Sequence, residues 1–170
     1  KYLVAANEYL AEHGLSHTVV ADASGFSPSS KSTASDLVSL GMIALKNPTI
    51  AGIVSQKTAD LPGVGLVRNS NKLLGANATI GLKTGTTDEA GSCLLFASRH
   101  TVKGKQITIV AALLGAQNHQ KLFADAATIL REAQAGFKEV VLASAGQTFG
   151  GYDFPWGERV SAVIKNDIRE

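Results

Sequence analysis

The stretch Gln106–Leu114 is largely apolar on both of the faces that a β-strand presents to its surroundings. The two alternating sets of side chains are Ile107, Ile109, Ala111 and Leu113, and Thr108, Val110, Ala112 and Leu114. A strand with this pattern is buried on both sides. The sequence therefore predicts a central strand of a sheet, covered on each face by other elements.

Two further strands precede this stretch and complete the predicted sheet. They cover Thr79–Thr84 and Ser92–Ser98. The segment Arg99–Lys105 contains Gly104 and is predicted to be the hairpin connection between the last two strands. The short connections favour antiparallel pairing of these strands.

The clearest helix is predicted over residues 119–135, directly after the strands. Its apolar residues recur with helical spacing and are Leu122, Ala126, Ile129, Leu130 and Ala133. Asn118 is the predicted cap of this helix and Gly136 its stop. We expect the apolar stripe to pack on the sheet.

The first sixty residues are predicted to be mainly helical. Residues 2–13 have a helical stripe of apolar residues. Thr33, followed three residues later by Asp36, has a capping-box pattern and opens a helix that ends at Asn47-Pro48. The same Asn47 is predicted to cap a second, short helix that has Pro48 at its first position.

The sequence changes character after Phe137. Two strands, Glu139–Ala143 and Arg159–Lys165, are predicted on either side of a segment rich in glycine. A β-rich segment of this size is too small to fold alone. We therefore divide the chain into residues 1–137 and 138–170, and expect an α+β fold in which an antiparallel sheet packs against helices.

Composition excludes several classes of protein. Of the 170 residues, 45% are hydrophobic and 18% charged, so the chain is not a disordered one. Aromatic residues make up only 6%, which argues against binding of single-stranded nucleic acid by stacking. The single cysteine excludes an internal disulfide framework. No apolar run is long enough to span a membrane, and no signal peptide begins the chain, which starts at Lys1 without Met.

Positive charge is concentrated in the middle third of the chain. Residues 61–121 contain seven Lys or Arg and two Asp or Glu, a balance of +5, whereas the balance is −1 before and −2 after this block. The block would favour an anionic ligand if its charges shared a face. The alternative is a solvated basic surface.

No metal ion and no cofactor are expected from the sequence. His13 and His17 have a spacing that suits a metal site on a helix, but Gly14 should end the helix between them. His100 and His119 lie at the ends of predicted elements without a cluster of further metal ligands.

The segment Gly81-Leu-Lys-Thr-Gly-Thr-Thr87 has the residue types of an anion-recognition edge. Lys83 supplies a positive charge and up to three donors, and Thr84 adds a conformationally stiff hydroxyl. Gly85 lets a ligand lie close to the strand because it has no Cβ. An exposed edge strand of this kind can pair with a peptide substrate as an added strand. The alternative is a lysine that only protects a polar strand edge from aggregation.

Several ordered blocks accompany this segment and together give the chain a resemblance. The blocks are Asp22-Ala-Ser-Gly-Phe-Ser27, Ser32-Thr-Ala-Ser-Asp-Leu37, Asn69-Ser-Asn-Lys-Leu-Leu74, Ala90-Gly-Ser-Cys-Leu-Leu95 and Leu114-Gly115. In their order and spacing they resemble the second half of the catalytic domain of the serine-type D-alanyl-D-alanine carboxypeptidases, the low-molecular-mass penicillin-binding proteins. The resemblance covers most of residues 1–137, and residues 138–170, with Trp156-Gly157, look like the beginning of a C-terminal β-rich domain.

The resemblance implies a reaction at the D-Ala-D-Ala end of peptidoglycan stem peptides. In the family a serine attacks the penultimate D-Ala carbonyl, and water then hydrolyses the acyl-enzyme. Carried over to this chain, Lys83 polarises the site and helps to hold the substrate carboxylate, to which Thr84 donates a hydrogen bond. The backbone N–H of Thr86 forms half of the oxyanion hole, Gly85 leaves room for the acyl chain, and Thr87 also lines the site.

Two of the three motifs that this chemistry needs are absent. Ser-x-x-Lys, Ser-x-Asn and Lys-Thr-Gly act together in such enzymes, but no lysine here has a serine three residues before it. Asn71 comes closest to a Ser-x-Asn motif, and it follows Asn69-Ser70. Because a hydroxyl without an adjacent base is a poor nucleophile, we expect the chain alone to be inactive. Truncation explains the absence better than a degenerate enzyme.

Three functions remain open at the level of the sequence. The first is a carboxypeptidase of the cell envelope, represented here by its second half and inhibited by β-lactams. The alternatives are a β-lactamase-like hydrolase and a non-catalytic envelope module that binds peptidoglycan peptides. For the whole protein the resemblance implies export and membrane association through parts outside this chain. Nucleic acid is not an expected partner, and an incomplete helical lobe could drive dimerisation.

Overall fold

The computed structural model describes residues 1–170, which form two compact units, Lys1–Ala133 and Gln134–Glu170. The boundary falls within the last turn of the fourth helix. The first unit contains α1 (Tyr2–Glu12), α2 (Ala34–Lys46), α3 (Pro48–Val54), β1 (Thr58–Leu61), β2 (Gly65–Arg68), β3 (Thr79–Thr87), β4 (Gly91–Val102), β5 (Lys105–Ala116) and α4 (His119–Gly136). Its mixture of helices and an antiparallel sheet confirms the predicted α+β class.

The main sheet has three antiparallel strands in the order β3-β4-β5. The central strand is therefore β4, and the prediction that Gln106–Leu114 is central is wrong. That segment lies in β5, at an edge of the sheet, with most of its residues half-buried. Its two apolar faces have another cause, because helices pack on both sides of the sheet. Apolar side chains on both faces of a strand indicate that both faces are covered. They do not indicate how many strands lie beside it in the sheet.

The main apolar core lies between the sheet and α4. It is formed by six buried residues, Leu73, Leu94, Phe96, Leu122, Ala126 and Leu130. The predicted stripe of α4 supplies the last three of them, while Ile129 from the same stripe is 39% exposed. Asn118 caps the helix as predicted, since its Oδ1 accepts a hydrogen bond of 2.9 Å from the backbone N–H of Lys121.

The opposite face of the sheet is covered by α2. A Cβ built on Gly41 of this helix would lie 3.0 Å from Leu82, 3.1 Å from Val110 and 3.3 Å from Leu95. One residue from each strand thus meets the helix at this glycine. A larger side chain at Gly41 would push helix and sheet apart.

The predicted caps of the helical segment are present. The Thr33 hydroxyl accepts a hydrogen bond of 3.2 Å from the Asp36 N–H. The Asn47 side chain accepts from the N–H groups of Thr49 and Ile50, at 3.0 and 3.2 Å. Local side-chain-to-backbone pairs of this kind satisfy the free N–H groups at the start of each helix.

The second unit is built from two small antiparallel pairs. Its strands are β6 (Val141–Ala143), β7 (Thr148–Asp153), β8 (Arg159–Val163) and β9 (Ile168–Arg169), with β6 paired to β9 and β7 to β8. The two predicted strands are present in shortened form as β6 and β8. The glycines did not prevent β7 from forming between them, since Gly150 and Gly151 both pair with β8.

The helices were compared with the length and apolar composition of a membrane span. No individual helix combines the length and the apolar composition of a membrane span. The pair α2 and α3 meets those criteria only when counted together, across a bend of 107°.

Candidate functional site

The segment with the predicted site residues forms the exposed half of an edge strand. β3 pairs with β4 alone, so its other edge has no neighbouring strand. The first half of β3 is largely buried, with Gly81 packed against Val54 of α3, whereas Lys83, Gly85 and Thr86 are exposed. A Cβ built on Gly85 would meet no atom within 4 Å. The strand edge is therefore open to an extended ligand at the point where the sequence predicts one.

The hydroxyl groups of Thr84 and Thr86 are located by their contacts. Thr86 projects toward α4, because its hydroxyl meets His119 at the beginning of that helix. Thr84, two positions earlier, has its hydroxyl against Ser70. The Lys83 ammonium donates a hydrogen bond to the carbonyl oxygen of Thr84. Strict alternation does not hold just before this segment, because Leu82 is paired with Phe96 of the α4 core and yet meets Gly41 of α2.

A serine outside the strand joins Thr84 in a hydroxyl pair. Ser70 Oγ lies 2.6 Å from Thr84 Oγ1. Ser70 is held in place by its neighbours: Asn71 is buried, donates to the Gly81 carbonyl at 3.3 Å and accepts from the Leu73 N–H at 3.1 Å. The two side chains of the pair are 14 positions apart. Sequence reasoning assigned no role to Ser70, although the Asn69–Leu74 block had drawn attention to its surroundings.

A contact between a hydroxyl and an imidazole lies two residues further along the strand. Thr86 Oγ1 is 2.8 Å from Nε2 of His119, the first residue of α4. The same hydroxyl donates to Ser92 Oγ at 3.4 Å, on the neighbouring strand β4. His119 was considered at the level of the sequence only as a metal ligand. No local pattern connects it with Thr86, because the two are 33 positions apart.

The basic block of the sequence does not form one surface. Residues Arg99–Lys105 surround the β4–β5 turn, beyond the pairing of Thr79 with Ser98. Lys83–Thr87 pair with the opposite end of β4, and Lys121 forms an ion pair of 3.1 Å with Asp125. Of the seven cations in the block, Lys83 alone lies on the exposed half of β3. The geometry favours a solvated surface for the cations of the turn.

The structure contains no group of three or more His, Cys, Asp or Glu side chains that could hold a metal ion. What it does contain is an antiparallel sheet covered by helices, with Lys-Thr-Gly on an open edge strand. Lys-Thr-Gly is one of the three motifs of the penicillin-binding and β-lactamase enzymes that use a serine nucleophile.

Comparison with known families identifies the chain more closely. The family model described as D-alanyl-D-alanine carboxypeptidase matches residues 1–118, so the chain belongs to this family. A comparison with curated proteins finds no match.

Solved structures of a DD-transpeptidase and of a penicillin-binding protein share the fold. A point mutant of the Streptomyces K15 DD-transpeptidase is 28% identical, with a TM-score of 0.69 over 79% of this chain and 54% of that chain. Penicillin-binding protein D2 from Listeria monocytogenes, in its cefotaxime-bound form, is 27% identical, with a TM-score of 0.67 over 76% of this chain and 53% of that chain. Its ampicillin-bound form gives 26% identity, a TM-score of 0.68 and coverages of 76% and 54%. The chain thus spans about half the length of these proteins.

The predicted family and the predicted penicillin-binding fold are confirmed by these matches. The roles assigned to Lys83, Thr84, Gly85, Thr86 and Thr87 stay predictions, as does the division at residue 137.

Proposed function

We propose that this chain supplies the Lys-Thr-Gly side of the active site of a serine-type D-Ala-D-Ala carboxypeptidase. The substrate of the whole protein is a peptidoglycan stem pentapeptide, from which the terminal D-Ala is removed. The observation that carries the proposal is the open edge at Lys83–Thr87, on a strand with one neighbour and free space beside Gly85. Family membership supports the reaction class.

In the proposed complex the stem peptide adds as a strand to the free edge of β3. The Lys83 ammonium attracts the terminal carboxylate, and the Thr84 hydroxyl donates to it. For Thr84 to donate to the carboxylate, the Ser70 hydroxyl must donate to Thr84 Oγ1, which lies 2.6 Å from Ser70 Oγ. The Thr86 N–H faces the penultimate carbonyl oxygen, where negative charge develops during attack.

The reaction itself proceeds in two steps on a serine that this chain does not supply. The serine Oγ forms a bond to the penultimate D-Ala carbonyl carbon, its proton passes to a base, and the C–N bond breaks. The released D-Ala takes up a proton on its amine. Water then adds to the ester carbon and restores the serine hydroxyl. We propose that the serine and its lysine come from a further segment and that the 170-residue chain alone forms no acyl-enzyme.

Covalent labelling with a fluorescent penicillin tests both parts of this proposal. We expect no labelling of the 170-residue chain, and labelling of a longer protein that also carries Ser-x-x-Lys and Ser-x-Asn. In that protein Lys83→Ala should slow labelling about 10- to 100-fold, because the variant loses a hydrogen bond between two charged groups, the Lys83 ammonium and the carboxylate of the ligand. Lys105→Ala, next to the β4–β5 turn, is the matched control and should label normally. Covalent labelling of the 170-residue chain would contradict its proposed inactivity.

A non-catalytic envelope module that binds peptidoglycan peptides is the second candidate. It is favoured by one observation, the absence of both serine motifs from all 170 residues. The labelling experiment separates the two candidates, because a module of this kind binds peptides ending in D-Ala-D-Ala and forms no acyl-enzyme in any longer protein.

For the whole protein we propose a place in the cell envelope and inhibition by β-lactams. Both are supported by the family and by the antibiotic complexes of penicillin-binding protein D2. Membrane association through other segments, and dimerisation of this chain through its exposed helices, belong to the same proposal.

A further inference from the structure

The imidazole of His119 is held firmly at the beginning of α4. Asn118 caps the helix and so fixes where its first residue lies. The ring centroid of Phe123, one turn further on, is 6.3 Å from that of His119, and Phe123 packs against the buried core cluster. The His119 ring thus approaches β3 from a helix anchored in the core.

The contacts around Thr86 connect three elements. The Thr86 hydroxyl lies 2.8 Å from His119 Nε2, which is the shorter of its two contacts. It lies 3.4 Å from Ser92 Oγ, and Ser92 is buried in the central strand. The chain of contacts therefore runs from α4 through the edge strand to β4.

Thr86 needs such an anchor because of its position. It is exposed, lies near the end of a strand that has one neighbour, and is followed by a turn. Strand ends of this kind open easily. A donor that stabilises a developing charge acts only if it stays within a few tenths of an ångström of its place.

We propose that His119 is a positioning residue for the oxyanion-binding end of β3. By holding the Thr86 side chain, it fixes the backbone N–H of the same residue toward the free edge. This inference rests on the proposed function for the role of that N–H. The hydrogen-bond chain from α4 to β4 is independent of it.

The first test measures the side chain of Thr86 in the ligand-free 170-residue chain. NMR coupling constants report whether its χ1 angle occupies one rotamer. We expect one rotamer in the wild type, averaged rotamers in His119→Ala, and recovery of one rotamer in His119→Gln, whose side-chain amide both donates and accepts hydrogen bonds. His13→Ala, at the exposed histidine that directly follows α1, is the control. An unchanged Thr86 rotamer in His119→Ala would overturn the proposal.

The second test measures binding of an acetylated tripeptide ending in D-Ala-D-Ala. We expect the Kd of His119→Ala to be about 3- to 10-fold higher than that of the wild type, the loss associated with one neutral hydrogen bond, and His119→Gln to recover most of it. Equal affinities of wild type and His119→Ala would overturn the proposal. If the wild type binds no peptide, the proposed function fails, and the rotamer measurement alone decides whether His119 positions Thr86.

Discussion

Asp36 is a buried carboxylate that joins two segments of the first unit. One carboxylate oxygen accepts hydrogen bonds from the Thr18 hydroxyl at 2.8 Å and from the His17 N–H at 2.9 Å. These bonds, the one from Thr18 above all, hold the pKa of Asp36 below its ordinary value. Because the folded pKa is the lower one, the stabilising contribution is present above the ordinary pKa and is lost as the pH falls through the folded pKa.

The Asp36 contacts give a prediction that NMR titration can check. In Thr18→Ala we expect the pKa of Asp36 to rise toward its ordinary value and the acid unfolding midpoint to move to higher pH. Ser16→Ala is the matched control, since the Ser16 hydroxyl contacts His17 and not the carboxylate. An unchanged Asp36 pKa in Thr18→Ala would show that the Thr18 hydroxyl does not stabilise the ionised form.

At the scale of helices and strands, local features were predictable and distant contacts were not. The caps at Thr33, Asn47 and Asn118 bind N–H groups within three residues, so spacing alone predicted them. The pairing of Thr86 with His119 depends on how α4 returns across the sheet, which no short pattern encodes. The same reason explains the mistaken central strand, since strand order is a property of the assembled sheet.

Two glycines test the packing of α2 on the sheet. Gly41 faces three apolar side chains at 3.0 to 3.3 Å from a built Cβ, whereas Gly52 of α3 has nothing within 4 Å. Alanine at Gly52 should stabilise the fold by ~0.5–1 kcal/mol through helix propensity. At Gly41 the same gain is offset by crowding, so we expect Gly41→Ala to have a free energy of unfolding at least ~1 kcal/mol lower than Gly52→Ala. Denaturant unfolding measures both free energies of unfolding. Equal values would show that the contact between α2 and the sheet accommodates the added methyl group without cost.

At the scale of the whole molecule, the helices of the first unit leave large apolar side chains in contact with solvent. Tyr2 and Val4 of α1 are 59% and 61% exposed, and Ile53 of α3 is 61% exposed. The match to this chain covers about half of each solved protein. In the chain alone, burial against a second copy would remove this apolar surface from water.

We therefore expect the isolated chain to self-associate through these helices. Light scattering should give a mass above that of a monomer. When Val4 and Ile53 are both replaced by lysine, the mass should fall toward that of the monomer, because association would then bury two charges in the interface. Lys103→Glu, at the distant β4–β5 turn, is the control and should leave the mass unchanged. A monomer that also binds no dye for exposed apolar surface would contradict the prediction. The same lysine pair should leave the NMR signals of Thr84 and Thr86 in place, because Val4 and Ile53 are exposed, whereas the two threonine hydroxyls are held by Ser70, Ser92 and His119.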